Sequence, residues 1–301
     1  MATAPSTDAL VSPVPAPLAA RFTRLATLLD EWDADAAARA EAKATGKPLG
    51  PQTGLVRLDA ALEPGLHHVH GNAGVGKTAF ALQIAASCGC PALYVTCEMR
   101  ALELLRRLTA RITGTFLGKF KSGELAPDYS SKMVREAIQA APGLAFLDAT
   151  EAPATAEQIG KLAAFCRPQP PDAPHLLIVV DSLNSWAEGA YPGLPEYERL
   201  GSALADLRKI AAHFACPVLV INERNRASMK EGGLNAGAGN RGIEYGAASV
   251  IDLRREKDAK PDANGEVTVT VSMDKNRNGP TGNPMDLKFH GALQRYKETV
   301  F

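Results

Sequence analysis

The chain has 301 residues, of which 46% are hydrophobic, and its 33 basic and 33 acidic residues cancel to a net charge of zero. This length and composition suffice for one large core, while the zero net charge excludes a uniformly basic nucleic-acid binder and leaves only a local basic patch for such contacts. The five cysteines lack paired metal spacing, no apolar run is long enough to span a bilayer, and the N-terminus lacks the pattern of a signal peptide, so we expect a reduced, soluble, cytoplasmic protein without membrane contact.

The N-terminal part of the chain predicts an arm, a helix and a linker. Residues 1–17 are rich in Ala, Pro, Ser and Thr, which is typical of a disordered arm. Residues 18–46 predict an amphipathic helix that ends at glycine and proline, and residues 47–56 a linker. The apolar stripe of the helix either packs on its own core or docks on a neighbouring subunit. Its members are Leu18, Phe22, Leu25, Leu29 and Trp32.

The most informative pattern runs from residue 71 to residue 78, between an apolar run at 66–70 and a helical pattern at 78–86. It satisfies every position of the phosphate-binding P-loop, whose glycines let successive N–H groups face the phosphates at a helix N-terminus. We expect its lysine to reach the β- and γ-phosphates and its threonine hydroxyl to bind Mg²⁺, with an ordinary turn as the alternative. The eight residues, which predict ATP binding, are Gly71, Asn72, Ala73, Gly74, Val75, Gly76, Lys77 and Thr78.

Three histidines in the strand before this pattern offer a metal site as an alternative interpretation. Alternation along a strand separates His67 from His68 and His70. No acidic or cysteine residue with ligand spacing accompanies them, so we expect no metal there.

Strand-like and helical stretches alternate along the chain up to residue 221, which predicts an α/β fold with a mostly parallel sheet covered on both faces. Three strand-like runs then follow without helices, at 249–253, 267–273 and 285–289. We therefore expect the sheet to finish with antiparallel strands, within one large domain over residues 57–301.

Two carboxylates follow predicted strands. Asp181 ends the apolar run at 176–180, and the end of a parallel strand beside a P-loop is the place of a Mg²⁺-binding acid. Glu98 ends the strand after the P-loop helix, where a carboxylate can orient and polarise an attacking water. Because Asp181 is followed by Ser182 rather than by a second acid, we predict that Glu98 is the catalytic base, with Asp181 and Glu223 next in line.

A pair of cations lies in the turn after the run at 267–273. Lys275 and Arg277 are two residues apart and therefore share one face of a strand. Two such cations suit the γ-phosphate held by a neighbouring subunit, as an arginine finger does. A solvated basic turn is the alternative.

Further short motifs are spread along the chain, namely Thr53-Gly54-Leu55, Leu58-Asp59, Thr78 to Leu82, Cys97-Glu98-Met99, Arg107, Ser122 to Leu125, Leu147 to Thr150, Ile178 to Asp181, Asn225-Arg226, Ile243-Glu244 and Lys275 to Gly282. Their order and spacing resemble the RecA-like motor domain of DnaB-type replicative helicases over residues 50–297. The resemblance implies a RecA-like ATPase domain, a ring or helical homo-oligomer with ATP between subunits, Glu98 as base, and Lys275 and Arg277 acting across the interface. It also favours docking of the helix at 18–46 on the adjacent subunit.

The chain departs from that family at three places. Residues 1–17 leave no room for the family's helical N-terminal domain, so we expect no primase-recruiting collar. Ser182 to Trp186 lack the family's usual aromatic residue and glutamine. Asn222 and Glu223 stand where a γ-phosphate-sensing glutamine is expected, and we assign the role to Asn222 as the better donor. These changes weaken the case for unwinding more than the case for ATP hydrolysis.

Two segments are predicted as loops that face the channel of a RecA-like ring. The first, 184–198, is acidic and adds little attraction for DNA. The second, 224–241, is glycine-rich and locally basic, so it can follow a phosphate backbone without selecting a sequence. We assign single-stranded DNA binding to its cations, with a mobile solvated lid as the alternative. They are Arg224, Arg226, Lys230 and Arg241.

Two function classes stay open at this point. The first is a DNA-dependent ATPase that translocates on or unwinds single-stranded DNA in replication, built as a hexameric ring. The second is an oligomeric ATPase of the RecA superfamily that uses ATP for assembly or signalling, as recombination mediators and clock-type ATPases do. Stimulation of ATP hydrolysis by single-stranded DNA separates the two classes.

Overall fold

The computed structural model describes residues 22–55, 58–59, 61–167, 175–222, 246–256 and 258–299. The chain divides into two compact units between residues 49 and 50. None of the helices in these ranges is both long and apolar enough to cross a membrane.

The described part of the first unit is a single helical segment. A 3-10 turn at Leu25–Leu28 leads into α1, Leu29–Thr45, which ends where Gly46 adopts a left-handed φ of 68°. Among the described residues, 22–24 are not helical although the predicted helix includes them. The apolar side chains occupy only the first turns, because alanine and charged residues follow Trp32. Those apolar side chains are exposed, by 87% at Leu25 and 70% at Trp32. Leu18 lies outside the described residues.

The second unit contains one nine-stranded sheet in the order β3-β2-β4-β5-β1-β6-β7-β8-β9. The strands are β1 Gly65–Gly71, β2 Ala92–Thr96, β3 Leu144–Asp148, β4 Leu177–Asp181, β5 Pro217–Ile221, β6 Ser249–Arg254, β7 Glu266–Asn276, β8 Gly282–His290 and β9 Arg295–Glu298. Strands β1 to β6 pair in parallel, whereas β7, β8 and β9 are added antiparallel to β6 and to one another. The expectation of a mostly parallel sheet with antiparallel C-terminal strands is confirmed.

Helices connect the parallel strands. They are α2 Lys77–Ser87, α3 Ala101–Thr113, α4 Leu117–Ser122, α5 Pro127–Ala140, α6 Ala156–Cys166, α7 Leu183–Ala190 and α8 Glu196–Phe214. Local signals set several boundaries: Thr155 and Gln158 form a capping box at the start of α6, and α3 ends at Gly114 with a φ of 66°. Alternating strands and helices give a sheet covered on both faces.

Apolar side chains form a core on each face of the sheet. One core packs α2, α3 and α5 against the sheet and continues under β7, β8 and β9. The other packs α6, α7 and α8 against the opposite face. Strands β1, β2, β4 and β5 are buried almost throughout, as strands covered on both faces must be.

The segment at 184–198, predicted as a channel-facing loop, is mostly helical in the structure. Ser182 accepts a hydrogen bond from the Ser185 N–H as the N-cap of α7, and Leu183, Trp186 and Ala187 are buried at helical spacing. The Trp186 indole N–H donates to the Ala154 carbonyl oxygen at 2.8 Å. Only residues 191–195 remain between α7 and α8. The prediction of a long loop was wrong because it weighed the acidic composition and overlooked this spacing.

Candidate active site

The P-loop lies at the carboxyl end of β1 and leads directly into α2. Gly74 and Gly76 adopt left-handed φ values of 75° and 101°, which side chains rarely tolerate. A Cβ on Gly76 would lie 2.6 Å from the Tyr296 hydroxyl oxygen, so the loop is packed from behind. The N-cap of α2 has no side-chain hydrogen bond, which leaves the first N–H groups of the helix for an anion.

Lys77 is almost buried and turns back onto its own loop. Its Nζ donates to the Gly71 carbonyl oxygen at 2.9 Å and to the Asn72 carbonyl oxygen at 3.2 Å. These carbonyl oxygens hold the ammonium group over the loop, where phosphate oxygens can replace them as acceptors.

The two oxygen groups predicted to bind Mg²⁺ meet beside the P-loop. The Thr78 hydroxyl donates to the Asp181 carboxylate, and the Tyr94 hydroxyl donates to Asp181 Oδ2 at 2.7 Å. Burial raises the pKa of Asp181, while the hydrogen bonds from Tyr94 and Thr78 and the charge of Lys77 act in the opposite direction. The hydroxyl and carboxylate oxygens are ligands that Mg²⁺ prefers, so the pair fits this cation.

Glu98 follows β2 and lies next to the end of β4. Its Oε1 accepts hydrogen bonds from the Ser182 hydroxyl at 2.5 Å and from the Ser185 hydroxyl at 2.8 Å. The charge of Glu98 contributes to the raised pKa of Asp181, so the two carboxylates are close enough to interact. The parallel register of β2 and β4, which pairs Thr96 with Asp181, produces this proximity.

These groups line one cleft of about 470 Å³, a volume within the range of small-molecule sites. Besides Lys77, Thr78, Glu98 and Asp181, its described lining includes residues of more distant elements, namely Met99, Arg107, Ser182, Arg255, Phe289, Gly291 and Gln294. Arg107 Nη1 donates to Gln294 Oε1 at 2.5 Å. Sequence reasoning missed Gln294 and Arg255, since no local pattern marks a residue that reaches the cleft from a distant part of the chain. It also missed the buried Tyr94, which acts on the site through its hydrogen bond to Asp181.

Asn222 follows β5 and contacts the histidines of β1. Its Nδ2 lies 2.6 Å from His68 Nδ1 and 3.4 Å from His70 Nε2. Asn222 is not among the described residues that line the cleft, although its neighbour Ile221 is. The pKa of His68 is well below its ordinary value, mainly because the ring is buried. The charges of His70 and of other nearby cations lower it further. The sensor assignment of Asn222 stays a prediction.

His67 points to the opposite face of the sheet from His68, as the alternation predicts. Its ring nitrogens lie 2.7 Å from Ser249 Oγ and 2.6 Å from the Glu63 carbonyl oxygen. Burial lowers its pKa to about 4. Within the described part of the chain, no group of three histidine, cysteine or acidic side chains is arranged to hold a metal ion.

Lys275 lies near the end of β7, and Arg277 lies at the start of the turn that leads to β8. Lys275 pairs with Val250 of β6, and the Arg277 N–H donates to the Ala248 carbonyl oxygen at 2.9 Å. Lys275 is half-buried and Arg277 is exposed. Neither is among the described residues that line the P-loop cleft. The four cations predicted to bind DNA, Arg224, Arg226, Lys230 and Arg241, lie outside the described residues.

Solved structures share this arrangement of strands and helices. A solved ATPase domain superposes with a TM-score of 0.74 at 18% identity, over 89% of this chain and 98% of that chain. A DnaB-like replicative helicase gives a TM-score of 0.71 at 19% identity, over 83% of this chain and 64% of that one. A KaiC-like protein from Pyrococcus horikoshii OT3 gives 0.53 at 18% identity, over 83% of this chain and 98% of that chain.

At these identities the superpositions establish the fold, which is RecA-like. No curated protein sequence matches the chain significantly. The family model of the DnaB-like helicase C-terminal domain matches residues 50–298, which include the P-loop, both carboxylates and the hairpin with Lys275 and Arg277. The chain therefore belongs to the family of DnaB-like helicase C-terminal domains.

Proposed function

We propose that the chain is a Mg²⁺-dependent ATPase that assembles as a homo-oligomer, a hexameric ring, and moves along or unwinds single-stranded DNA in replication in the cytoplasm. One observation carries the proposal: the P-loop, the Thr78–Asp181 pair and the Glu98 carboxylate meet at a single cleft. Nucleotide, cation and attacking water each need one of these groups at the same place.

Each group of residues in the cleft has a separate role in the proposed hydrolysis. The N–H groups at the start of α2 bind the phosphates, and the Lys77 ammonium exchanges the Gly71 and Asn72 carbonyl oxygens for the β- and γ-phosphates. Thr78 and Asp181 would hold Mg²⁺, which would supply positive charge to neutralise the phosphate oxygens. Glu98 orients a water and accepts its proton as the water attacks.

Asn222 is proposed to sense the γ-phosphate from the end of β5. Its amide Nδ2 now lies against His68 and His70, so sensing requires the amide to exchange a histidine nitrogen for a phosphate oxygen. Such an exchange would couple binding of the γ-phosphate to a movement of Asn222, which lies just before the predicted DNA-binding segment.

Lys275 and Arg277 are proposed to reach the γ-phosphate bound by a neighbouring subunit. Their absence from the described lining of the cleft in their own subunit supports action across an interface. The exposed apolar side chains of the first unit, Phe22, Leu25, Leu29 and Trp32, are proposed to dock on that neighbour, because exposed apolar side chains grouped at helical spacing are typical of an interface.

DNA contact is assigned to Arg224, Arg226, Lys230 and Arg241. Support comes from the local excess of positive charge and from membership of a helicase domain family. A basic, glycine-rich segment after β5 would bind the phosphate backbone and select no sequence.

A second candidate function is an ATPase of the same superfamily that drives assembly or signalling without unwinding. It is favoured by the segment after β4, where Trp186 is buried in α7 and lacks the exposure needed for contact with a strand of DNA.

The test compares ATP hydrolysis by the full chain with and without single-stranded DNA, using Lys77→Ala as the matched inactive variant. We expect DNA to raise turnover and Lys77→Ala to abolish it, because the γ-phosphate loses its positioned cation. Turnover that DNA leaves unchanged favours the second function. Full turnover by Lys77→Ala would refute the P-loop assignment, and no turnover by the wild type would refute both functions.

A further inference from the structure

The predicted base, Glu98, is an exposed side chain at the mouth of the cleft. A glutamate in such a position has several rotamers of similar energy. General-base catalysis requires the carboxylate to remain within hydrogen-bond distance of its water. The protein must therefore restrict Glu98 by direct contacts.

Two hydroxyl groups provide such contacts, and both bind the same oxygen. Ser182 Oγ and Ser185 Oγ donate to Glu98 Oε1, and the two hydroxyl oxygens lie 3.0 Å apart. Among the described residues no hydrogen bond reaches Glu98 Oε2. One oxygen is thus held by the protein and the other remains available to a water.

The two hydroxyls are themselves held by rigid structure. Ser182 is buried directly after β4, and Ser185 lies in the first turn of α7. The next residue, Trp186, is 1% exposed and hydrogen-bonded to the Ala154 carbonyl oxygen. Because β4 and Trp186 belong to the core, they fix the hydroxyls relative to the P-loop.

We propose that Ser182 and Ser185 are positioning residues that hold Glu98 by one carboxylate oxygen and leave the second oxygen to orient the attacking water. The inference rests on the proposed ATPase function. It assigns a role to Ser182 and Ser185, which lie in the segment that lacks the family's usual aromatic residue and glutamine. It also couples the start of α7 to hydrolysis, since movement of this turn moves the anchor.

Ser185→Ala in the full chain is the primary test, because Ser182 also caps α7. We expect kcat to fall about tenfold, the cost of one lost hydrogen bond to a charged group, with the Kd of a fluorescent ATP analogue unchanged. Ser185→Thr retains the hydroxyl and should keep most of the rate. Asn184→Ala, an exposed neighbour on α7 outside the hydrogen-bonded network, should match the wild type.

A double-mutant cycle separates positioning from a general structural effect. In a Glu98→Gln background, Ser185→Ala should lower single-turnover hydrolysis by less than twofold, because the carboxylate that it positions is already gone. The same tenfold loss in that background would overturn the proposal. A higher kcat in Ser185→Ala would also overturn it, since the hydroxyls would then restrain the base.

Crystal structures of the wild type and of the Ser182→Ala, Ser185→Ala double variant test the anchoring without reference to activity. We expect Glu98 to leave its wild-type rotamer in the double variant. An unchanged rotamer refutes the inference even if the wild type is an active ATPase. A changed rotamer in a chain that hydrolyses no ATP supports the anchoring and refutes only the proposed function.

Discussion

The parallel and antiparallel halves of the sheet contribute to the candidate site in different ways. The parallel strands β1, β2 and β4 end at the same edge, and this edge holds the P-loop, Glu98 and Asp181. The antiparallel strands support that edge from the side: Tyr296 of β9 donates its hydroxyl to the Val75 carbonyl oxygen at 2.7 Å. The same half presents Lys275 and Arg277 on a hairpin away from the cleft.

This difference has a physical cause. Parallel strands gather their carboxyl ends, so residues from distant parts of the chain meet at one edge. Antiparallel hairpins alternate their turns between both edges, so they place a turn on the surface at each end. The cleft thus takes its P-loop and both carboxylates from the parallel half, while Phe289, Gly291 and Gln294 of the other half complete its lining. Contact of Lys275 and Arg277 with a second copy is the proposal that the following variants test.

Among these variants, Arg277→Ala is expected to lower the rate of ATP hydrolysis most. If Arg277 acts across an interface, the variant should bind ATP at its own P-loop and hydrolyse it about 10³- to 10⁵-fold more slowly. Mixing the variant with Glu98→Gln subunits should restore activity, because some mixed interfaces combine an intact Glu98 with an intact Arg277. Phosphate release by each pure variant and by the mixture measures this rescue.

Removal of residues 1–45 tests the same interface from the other unit. If Phe22, Leu25, Leu29 and Trp32 dock on the neighbour, the truncated chain should assemble less and show less rescue by mixing. Light scattering measures assembly in parallel. If the mixture assembles but hydrolysis is not rescued, Lys275 and Arg277 do not act across the interface and belong to a solvated basic turn.

Glu98→Gln tests only the contribution of the parallel half to ATP hydrolysis. The substitution removes the proposed base and keeps the shape of the side chain, so ATP binding should persist while turnover falls about 10²- to 10⁴-fold. Titration with a fluorescent nucleotide and a phosphate-release assay measure the two properties separately. Turnover at the wild-type rate would transfer the role to Asp181 or Glu223.

The parallel half should respond to acid through His67, at the contact between β1 and β6, its last strand. This side chain joins β1 to Ser249 of β6, and burial lowers its pKa to about 4 from 6.5. Because the unfolded chain binds the proton more readily, the stabilisation is complete above pH 6.5 and is lost as the pH falls toward 4. The full loss is about 3 kcal/mol in the free energy of unfolding.

Urea unfolding between pH 7 and pH 4.5 measures this dependence. His67→Gln should reduce the pH dependence and leave the part that the buried His68 contributes. His213→Gln, at an exposed position of α8, should leave the pH dependence unchanged. Equal pH dependence in wild type and His67→Gln would show that other groups cause the loss.

Tyr296→Phe should give the smallest effect and measures how strongly the antiparallel half supports the P-loop. The ring keeps its stacking with Phe289 at 4.5 Å and its edge contact with Phe80, so only the hydrogen bond to Val75 is lost. We expect a decrease of about 1 kcal/mol in the free energy of unfolding and a few-fold weaker nucleotide binding. The exposed Tyr197→Phe is the matched control, and equal nucleotide affinity in both variants would contradict a supporting role.

Much of the fold was predictable because its signals are local. The P-loop was located from eight consecutive residues, and apolar runs such as 176–180 predicted buried strands. The helix α7 was missed because the acidic residues near it outweighed the spacing of Leu183, Trp186 and Ala187. The predicted N-terminal helix included residues 22–24, which are not helical, and its apolar stripe ends at Trp32, since alanines extend a helical pattern without extending its apolar face.

The contacts of the site residues were far less predictable. The sequence assigned Glu98 and Asp181 to strand ends, yet it contained no signal that Ser182 and Ser185 would hold Glu98 or that Tyr94 would hold Asp181. Asn222 was predicted to face phosphate, and the structure places its amide against His68 and His70. Each of these contacts joins residues more than 80 positions apart.

The sequence by itself determined the strand, the P-loop and the helix that follows, because glycine φ freedom and the N–H groups of a helix start depend only on neighbouring residues. It also determined the alternation of strands and helices, since hydrophobic periodicity is a local property. Only the tertiary structure decided which side chains meet: the order of the strands brings Glu98 to Asp181, and the added antiparallel strands bring Tyr296 to Val75 across 221 residues of sequence.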